Sequence, residues 1–304
     1  MSDKQQFHAG YVAVIGRPNV GKSTLINALL EQKIAAVSPK PQTTRRNQLG
    51  ILTLPAAQLI FVDTPGLHTP QHKLGDFMNQ AASEALRDAD ILLWLLDASA
   101  PFTGEDRLIA EKLGAMRSLP PVWMALTKAD LADGKTLDER KRQAVELYPA
   151  QDVLTLSVKQ KTSLDELLVL LVSHLPAGEA FFDGDTVTDA YERDIAAELI
   201  RESVLAFVQD EVPHCVAVKI DAFEERPDDK AYIEATLFVE RDSQKGILIG
   251  KGGEMIKKIG TRSRQEIEEM SGRKVFLDLK VKVNKNWRNS PDALELLGYK
   301  TVSE

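Results

Sequence analysis

Between Gly16 and Ser23 the sequence GRPNVGKS places two glycines, a lysine and a hydroxyl at the spacing G-x-x-x-x-G-K-S, directly after the apolar run YVAVIG and before the helical pattern STLINALL. A loop between strand and helix aims backbone N–H groups, and the positive end of the helix, at phosphate oxygens. Gly16 and Gly21 permit the turn, Lys22 brings a mobile cation to β and γ phosphates, and Ser23 offers a hydroxyl to Mg²⁺. Arg17, Pro18, Asn19, Val20 and Thr24 complete the stretch expected to line a nucleotide. Downstream, QLIFVDTPG puts Asp63 at the end of a buried strand, where a carboxylate is costly unless a cation meets it. Mg²⁺, reached through water, is the expected partner. Thr64, Pro65 and Gly66 complete DTPG, with Gly66 open to a γ phosphate. A third block, MALTKAD, ends a strand with Thr127, Lys128 and Asp130. Guanine presents N1–H and its exocyclic amine side by side, which one carboxylate accepts together and adenine cannot match. Asp130 is the expected base selector, and Lys128 the expected brace between base and phosphate loop. Ser157, Val158 and Lys159 follow the next strand and suit the base's O6, through backbone N–H.

At this point the sequence resembles the TRAFAC-class GTPases, whose guanine motif is usually N-K-x-D; Thr127 departs from it and lacks the amide donor of asparagine. Ras-like members of that class use a glutamine after DxxG to orient water, whereas Leu67 stands here and cannot hydrogen-bond. The resemblance to GTPases with a hydrophobic residue at this position, together with GRPN, implies a K⁺ ion beside the phosphates, held by the Asn19 side chain. Asn19 as a simple turn residue is the alternative. The polar stretch SPKPQTTRRNQ is expected to be a switch loop around the γ phosphate, with Thr44 as the Mg²⁺ ligand and Thr43 as its alternative. Hydrolysis is thus assigned to Lys22, Asn19, Thr44 and Gly66, and the metal to Ser23, Thr44 and Asp63. Arg45 and Arg46 read as solvated switch charge in preference to an arginine finger, and His68 and His72 as exposed switch residues. Loose phosphoryl transfer needs positioning more than a strong base.

The elements that must hold these residues are legible as alternation. YVAVIG, QLIFVD, ILLWLLD, PVWMALT and DVLTLS read as buried strands, with helical patterns near 22–31, 75–88, 104–116, 136–147 and 163–174 between them. That order predicts an α/β P-loop domain, a mostly parallel sheet with helices on both faces and ligands at the carboxyl ends of the strands. It should span 8–175, followed by a Gly-, Pro- and Asp-rich linker over 176–189. A smaller α+β module over 190–290 would carry a long helix (Tyr191 to Gln209), strands at Val216 to Phe223 and Ala231 to Glu240, a glycine-rich turn, a helix and a strand from Lys274 to Val283. A tail covers 291–304. Cys215, the lone cysteine of the 304 residues, reads as a buried, inert thiol at the start of a strand. The longest apolar run, Ile91 to Leu96, is far short of a membrane span, and MSDKQQFHAG has no secretory pattern, so a cytoplasmic location is expected.

The net charge of −7 conceals a division. Residues 243–290 hold 12 Lys/Arg against 5 Asp/Glu, a local +7, leaving −14 on the rest. Within that basic window KGILIGKGGEMIKKIG sets the turn Gly250, Lys251, Gly252, Gly253 between an apolar approach (Ile247, Leu248, Ile249) and a helix carrying Lys257 and Lys258, with Ile256 and Ile259 on its buried side. It resembles the KH fold, whose G-x-x-G loop clamps the backbone of about four single-stranded nucleotides. RNA contacts are expected from Ile249, Gly250, Lys251, Gly252, Gly253, Lys257 and Lys258. The phosphate loop, DTPG before Leu67, LPAG, ERDIAAELIRESVLAFVQDEVPHCVAVKI, the KH turn and VKVNKNWR together resemble the Era family, TRAFAC GTPases related to the TrmE group and ending in a type II KH domain. What that resemblance implies is a GTP-hydrolysing switch using GTP/GDP and Mg²⁺, binding the 3′ region of 16S rRNA in assembly of the small (30S) ribosomal subunit. It also implies a monomer with some peripheral inner-membrane association. The rivals are a related GTPase of tRNA modification or large-subunit assembly, and a non-catalytic RNA-binding adaptor that uses the nucleotide structurally.

Overall fold

The computed structural model describes residues 6–38, 43–67, 69–209 and 211–299; His68 and part of the expected switch loop, 39–42, lie outside them. The chain divides into two compact units. The first carries strands β1 (His8–Ile15), β2 (Gln48–Leu54), β3 (Ala57–Asp63), β4 (Ile91–Asp97), β5 (Val122–Thr127) and β6 (Val153–Thr155) in the order β2-β3-β1-β4-β5-β6. All neighbours pair in parallel except β2 with β3. Every residue of β3, β4 and β5 is buried, as strands covered on both faces must be. Helices α1 (Lys22–Leu29), α2 (Lys73–Asp88), α3 (Gly104–Ala115), α4 (Gly134–Leu147) and α5 (Leu164–His174) connect them.

Three expectations for this half are corrected. Strand β2 adds a sixth strand to the five that the apolar runs mark; QLGILTL is only half-buried, and as an antiparallel edge strand it lacks the continuous apolar character of the others. Residues 176–189 are no loose spacer. Their backbone is tied to the first unit: Phe181 and Phe182 N–H donate to Gln58 Oε1 (2.7 and 3.0 Å), the Val187 carbonyl accepts from Ile51, and Phe181 meets Tyr11 edge to face. Arg45 is 1% exposed, not solvated: the fold covers both its aliphatic stem and its guanidinium.

The second unit contains α6 (Glu192–Phe207), the one-turn α7 (Val212–Cys215), β7 (Ala217–Arg226), β8 (Lys230–Val239), α8 (Asp242–Ile249), α9 (Glu254–Ser271), β9 (Lys274–Val283) and α10 (Pro291–Leu296). β7 and β8 are antiparallel, and β9 adds in parallel to β8. The expected long helix, two strands, glycine turn, helix and final strand are all present, and α7, α8 and α10 are added to them. Its core packs Leu199, Ile200, Ile233, Leu237, Leu248, Ile259 and Ile267 between helices and sheet. The approach to the glycine turn is helical (α8), which splits its apolar residues: Leu248 faces the core while Ile247 is 48% exposed. Residues 33–38, 43 and 70–77 group with this unit. Lys33 pairs with Glu202 (3.2 Å) and Glu266, and Val37 N–H donates to Glu202. His72 is half-buried, not exposed; burial first, then Arg288, holds its imidazole below the usual histidine value.

Cys215 is buried as expected, but it ends α7 instead of starting a strand, because Pro213 in the first turn favours a helical start. The described part of the expected tail, 291–299, packs onto this unit together with the residues just before it. Trp287 is fully buried, donates from Nε1 to the Cys215 carbonyl (2.9 Å) and stacks with Tyr299, while Ser290 caps α10. Trp287→Ala should destabilise this unit by about 3–5 kcal/mol, the range for truncating a large buried aromatic. Urea unfolding followed by circular dichroism checks it; a shift under about 1 kcal/mol would contradict the packing.

Candidate functional site

The carboxyl ends of β1, β3, β4, β5 and β6 converge on one rim of the first sheet, and the candidate residues follow those ends directly. Gly16 leaves β1 at φ +147°, where a Cβ would lie 2.6 Å from the Leu95 carbonyl oxygen, so no other residue fits that turn. Gly21 precedes α1 in the left-handed region. Lys22 is buried, its Nζ donating to the carbonyls of Gly16 (3.0 Å) and Arg17 (3.3 Å). Burial pulls its ammonium below the usual lysine value, against Asp63 and Glu105, which support the charge. Thr24 points to solvent and Val20 into the core. Asn19 is exposed at φ 63°, a left-handed conformation that asparagine tolerates better than most residues.

Three oxygens gather beside the loop. Ser23 Oγ donates to Asp63 Oδ2 at 2.5 Å, Thr44 Oγ1 donates to the same oxygen at 3.1 Å, and the two hydroxyls are 3.1 Å apart. Adjacent ligands on an octahedral Mg²⁺ with metal–oxygen distances of about 2.0–2.1 Å are separated by about 2.9 Å, close to the 3.1 Å between the two hydroxyls, so Ser23 and Thr44 fit that ion directly, with the Asp63 carboxylate beside them to meet it through water. Thr43 Oγ1 instead faces the Ser38 carbonyl at 3.5 Å. Thr64 donates to the Val14 carbonyl (2.8 Å), fixing the start of DTPG against β1. Gly66 lies against Pro18, and a Cβ there would meet the proline ring at 3.1 Å. Leu67 is a core residue, packed with Ile15 and Trp94 among others.

At the base end, Asp130 is half-buried and its Oδ1 accepts from Ser157 Oγ at 2.6 Å, which orients the carboxylate. The Ser157 N–H donates to the Thr162 carbonyl (3.3 Å), so it is not the free donor that the expected O6 contact requires. Thr127 has a definite function here. Its buried hydroxyl donates to the Val20 carbonyl (2.8 Å), with the Leu96 carbonyl at 3.2 Å, and thereby joins the end of β5 to the phosphate loop without an amide. Lys128, at φ 56°, donates to the Asn19 carbonyl (3.1 Å) as the brace expected of it, and also to Asp97 (2.6 Å). Sequence reasoning misses Asp97, and the turn of Arg17 toward it. A signal for it exists: ILLWLLD ends a buried strand in a carboxylate, as QLIFVD does.

In the second unit the turn Gly250 to Gly253 has φ of 73°, 61° and 83° at its three glycines. A Cβ at Gly250 would lie 2.7 Å from Met255 Cβ, whereas Gly252 faces open space. Lys251, Lys257 and Lys258 are exposed, Ile249 and Ile256 are half-buried beside them, and α9 begins immediately after Gly253, so its N-terminal dipole faces the turn. Among the described residues no helix is long and apolar enough to cross a membrane.

Comparison with known proteins gives two family matches: a 50S ribosome-binding GTPase model over residues 11–128 and a KH domain model over 211–288. GTPase Era of Heliobacterium modesticaldum is 42% identical over 295 residues, covering 97% of this chain and 98% of the relative. GTPase Era of Thermoanaerobacter sp. is 44% identical over 292 residues, covering 96% of each. Among solved structures, Era in complex with MgGDPNP and nucleotides 1506–1542 of 16S ribosomal RNA superposes with a TM-score of 0.92 at 36% identity, over 97% of this chain and all of that one. A point variant of Aquifex aeolicus Era bound to GDP.AlF4⁻ gives a TM-score of 0.90 at 36% identity, with the same coverage.

Proposed function

The chain belongs to the Era family of GTPases, and we propose that its KH domain binds the 3′ region of 16S ribosomal RNA in assembly of the small ribosomal subunit, under control of the nucleotide in its G domain. The observation that carries this reading is the co-occurrence, in one chain matched end to end, of a complete phosphate loop and an intact, exposed G-x-x-G turn. The RNA in the solved Era complex supports the choice of partner. A large-subunit role has one observation in its favour, the description of the G-domain model. Binding of a synthetic 16S 3′ segment against a scrambled strand decides between them: preference for the former is expected, and equal binding overturns the reading.

Lys22 and the Gly66 N–H meet the γ phosphate, while Asp130 reads the base and Val158 or Lys159 reaches O6. Ser23, Thr44 and Asp63 hold Mg²⁺, which when bound neutralises phosphate charge developing in the loose transition state. Thr44→Ala should raise the Mg²⁺ concentration needed for half-maximal hydrolysis at least tenfold, and Thr43→Ala less than twofold; a reversed order would move the ligand to Thr43. Leu67, locked in the core, leaves water orientation to backbone groups and to charge beside the phosphates. Asn19 supplies K⁺ with a side-chain oxygen at that place. Hydrolysis should run faster in KCl than in NaCl at equal ionic strength, with Asn19→Ala removing the difference. Equal rates for the unaltered protein would retire the ion. The protein works in the cytoplasm as a monomer, with peripheral membrane association as a secondary property that fractionation with and without high salt would test.

A further inference from the structure

Arg17 and Lys128 come from different parts of the chain, the phosphate loop and the guanine motif, yet both cations end on one carboxylate oxygen. Asp97 Oδ2 lies 3.3 Å from Arg17 Nη2 and 2.6 Å from Lys128 Nζ. The other oxygen, Oδ1, accepts from Ser99 N–H (3.0 Å) and Ser99 Oγ (2.5 Å), which fixes the carboxylate's rotation. Asp97 closes β4 in register with Thr127 at the end of β5, so the backbone beneath it is part of the sheet. Arg17 Nε also stands 3.5 Å from Asp106, a carboxylate 1% exposed that accepts from Thr103 N–H and Oγ1 at the start of α3. Lys128 reaches from Asp97 to the Asn19 carbonyl.

We infer that Asp97 is a positioning residue for nucleotide retention: by holding Arg17 and Lys128 on one oxygen it locks the phosphate loop and the guanine motif into a single spacing. Without that charge the two cations repel each other, and the tie between the phosphate and base ends of the site is left to the Lys128–Asn19 and Thr127–Val20 hydrogen bonds. Its carboxyl lies below the usual aspartate value; burial works the other way but is outweighed by hydrogen bonds from Lys128 and Ser99. The role rests on the reading of residues 127–130 as the base site, so the unaltered protein is assayed first. Failure of that protein to bind a fluorescent GDP analogue defeats the base-site reading itself.

The test is the stopped-flow release rate of that analogue, together with KM and kcat for GTP. Asp97→Asn should speed release at least tenfold and raise KM by a similar factor, while kcat falls by less than threefold. In a Lys128→Met background the same substitution should add less than threefold, because one partner of the anchor is already gone. Asp97→Glu, which retains the charge, should recover part of the retention. Arg17→Ala, which leaves β4 intact, should also speed release and serves as the readout if Asp97→Asn does not fold. The proposal is overturned if folded Asp97→Asn releases GDP at the parental rate. It is equally overturned if its effect multiplies in full with that of Lys128→Met, or if Arg17→Ala releases GDP at the parental rate.

Discussion

Asp130→Asn should lower GTP affinity tenfold or more and improve binding of XTP. The carboxylate is oriented by Ser157 Oγ at 2.6 Å, with its remaining acceptor capacity available to the two adjacent donors of guanine. Hydrogen bonds to a charged group contribute roughly 1.5–3 kcal/mol, which converts to about tenfold or more at about 1.4 kcal/mol per decade. Xanthine has a carbonyl where guanine has the exocyclic amine, and an asparagine amide donates to it. The Ser157 hydroxyl still has an oxygen to donate to, so the variant should keep its fold. Titration of fluorescent GTP and XTP analogues measures both arms. Unchanged GTP affinity would remove Asp130 from the base site.

Replacing Lys251 and Gly252 with aspartate should reduce single-stranded RNA binding severely, by roughly a hundredfold, since two carboxylates then face phosphates where one ammonium stood. The turn should survive. Gly252 sits at φ 61° facing open space, and aspartate enters that region more readily than most residues. The same change at Gly250 would drive a Cβ into Met255 and test only folding. Intrinsic GTP hydrolysis, carried by another unit, should change little. Lys251→Ala alone should weaken binding modestly and lower the salt slope by about one, as for one neutralised phosphate. RNA affinity across a KCl series, with circular dichroism as the control for folding, reads all three outcomes. Parental binding by the folded double variant would reduce residues 243–290 to a basic surface.

What is legible in the sequence is contiguous. The phosphate loop, DTPG and the glycine turn each compress a strand end, a turn and a helix start into a few neighbouring residues, so spacing alone carries their geometry. Asp63 stands out because a carboxylate at a strand end demands a partner, and Asp130 because it closes the T-K-x-D block just after a strand. Asp97 meets the first criterion but lies outside any familiar motif, and its partner Arg17 is 80 residues away in the chain. Pairings of that kind depend on which strands become neighbours. The role of Thr127 is hidden for a related reason: comparing side-chain donors with asparagine overlooks the Val20 carbonyl that its hydroxyl reaches. Strand β2 escapes notice because an edge strand has one face to water and a mixed sequence. The packing of Trp287 and Tyr299 does so because short helices after the last strand carry too little periodicity to register.

The central claim, that this GTPase uses its KH domain on the 3′ region of small-subunit ribosomal RNA, is tested most directly by crosslinking the full chain to RNA in cells and sequencing what is attached. The reads should concentrate at the 3′ end of 16S rRNA and be lost in the Lys251→Asp, Gly252→Asp variant. Reads concentrated on transfer RNA or on large-subunit rRNA, or an unchanged map in that variant, would contradict it.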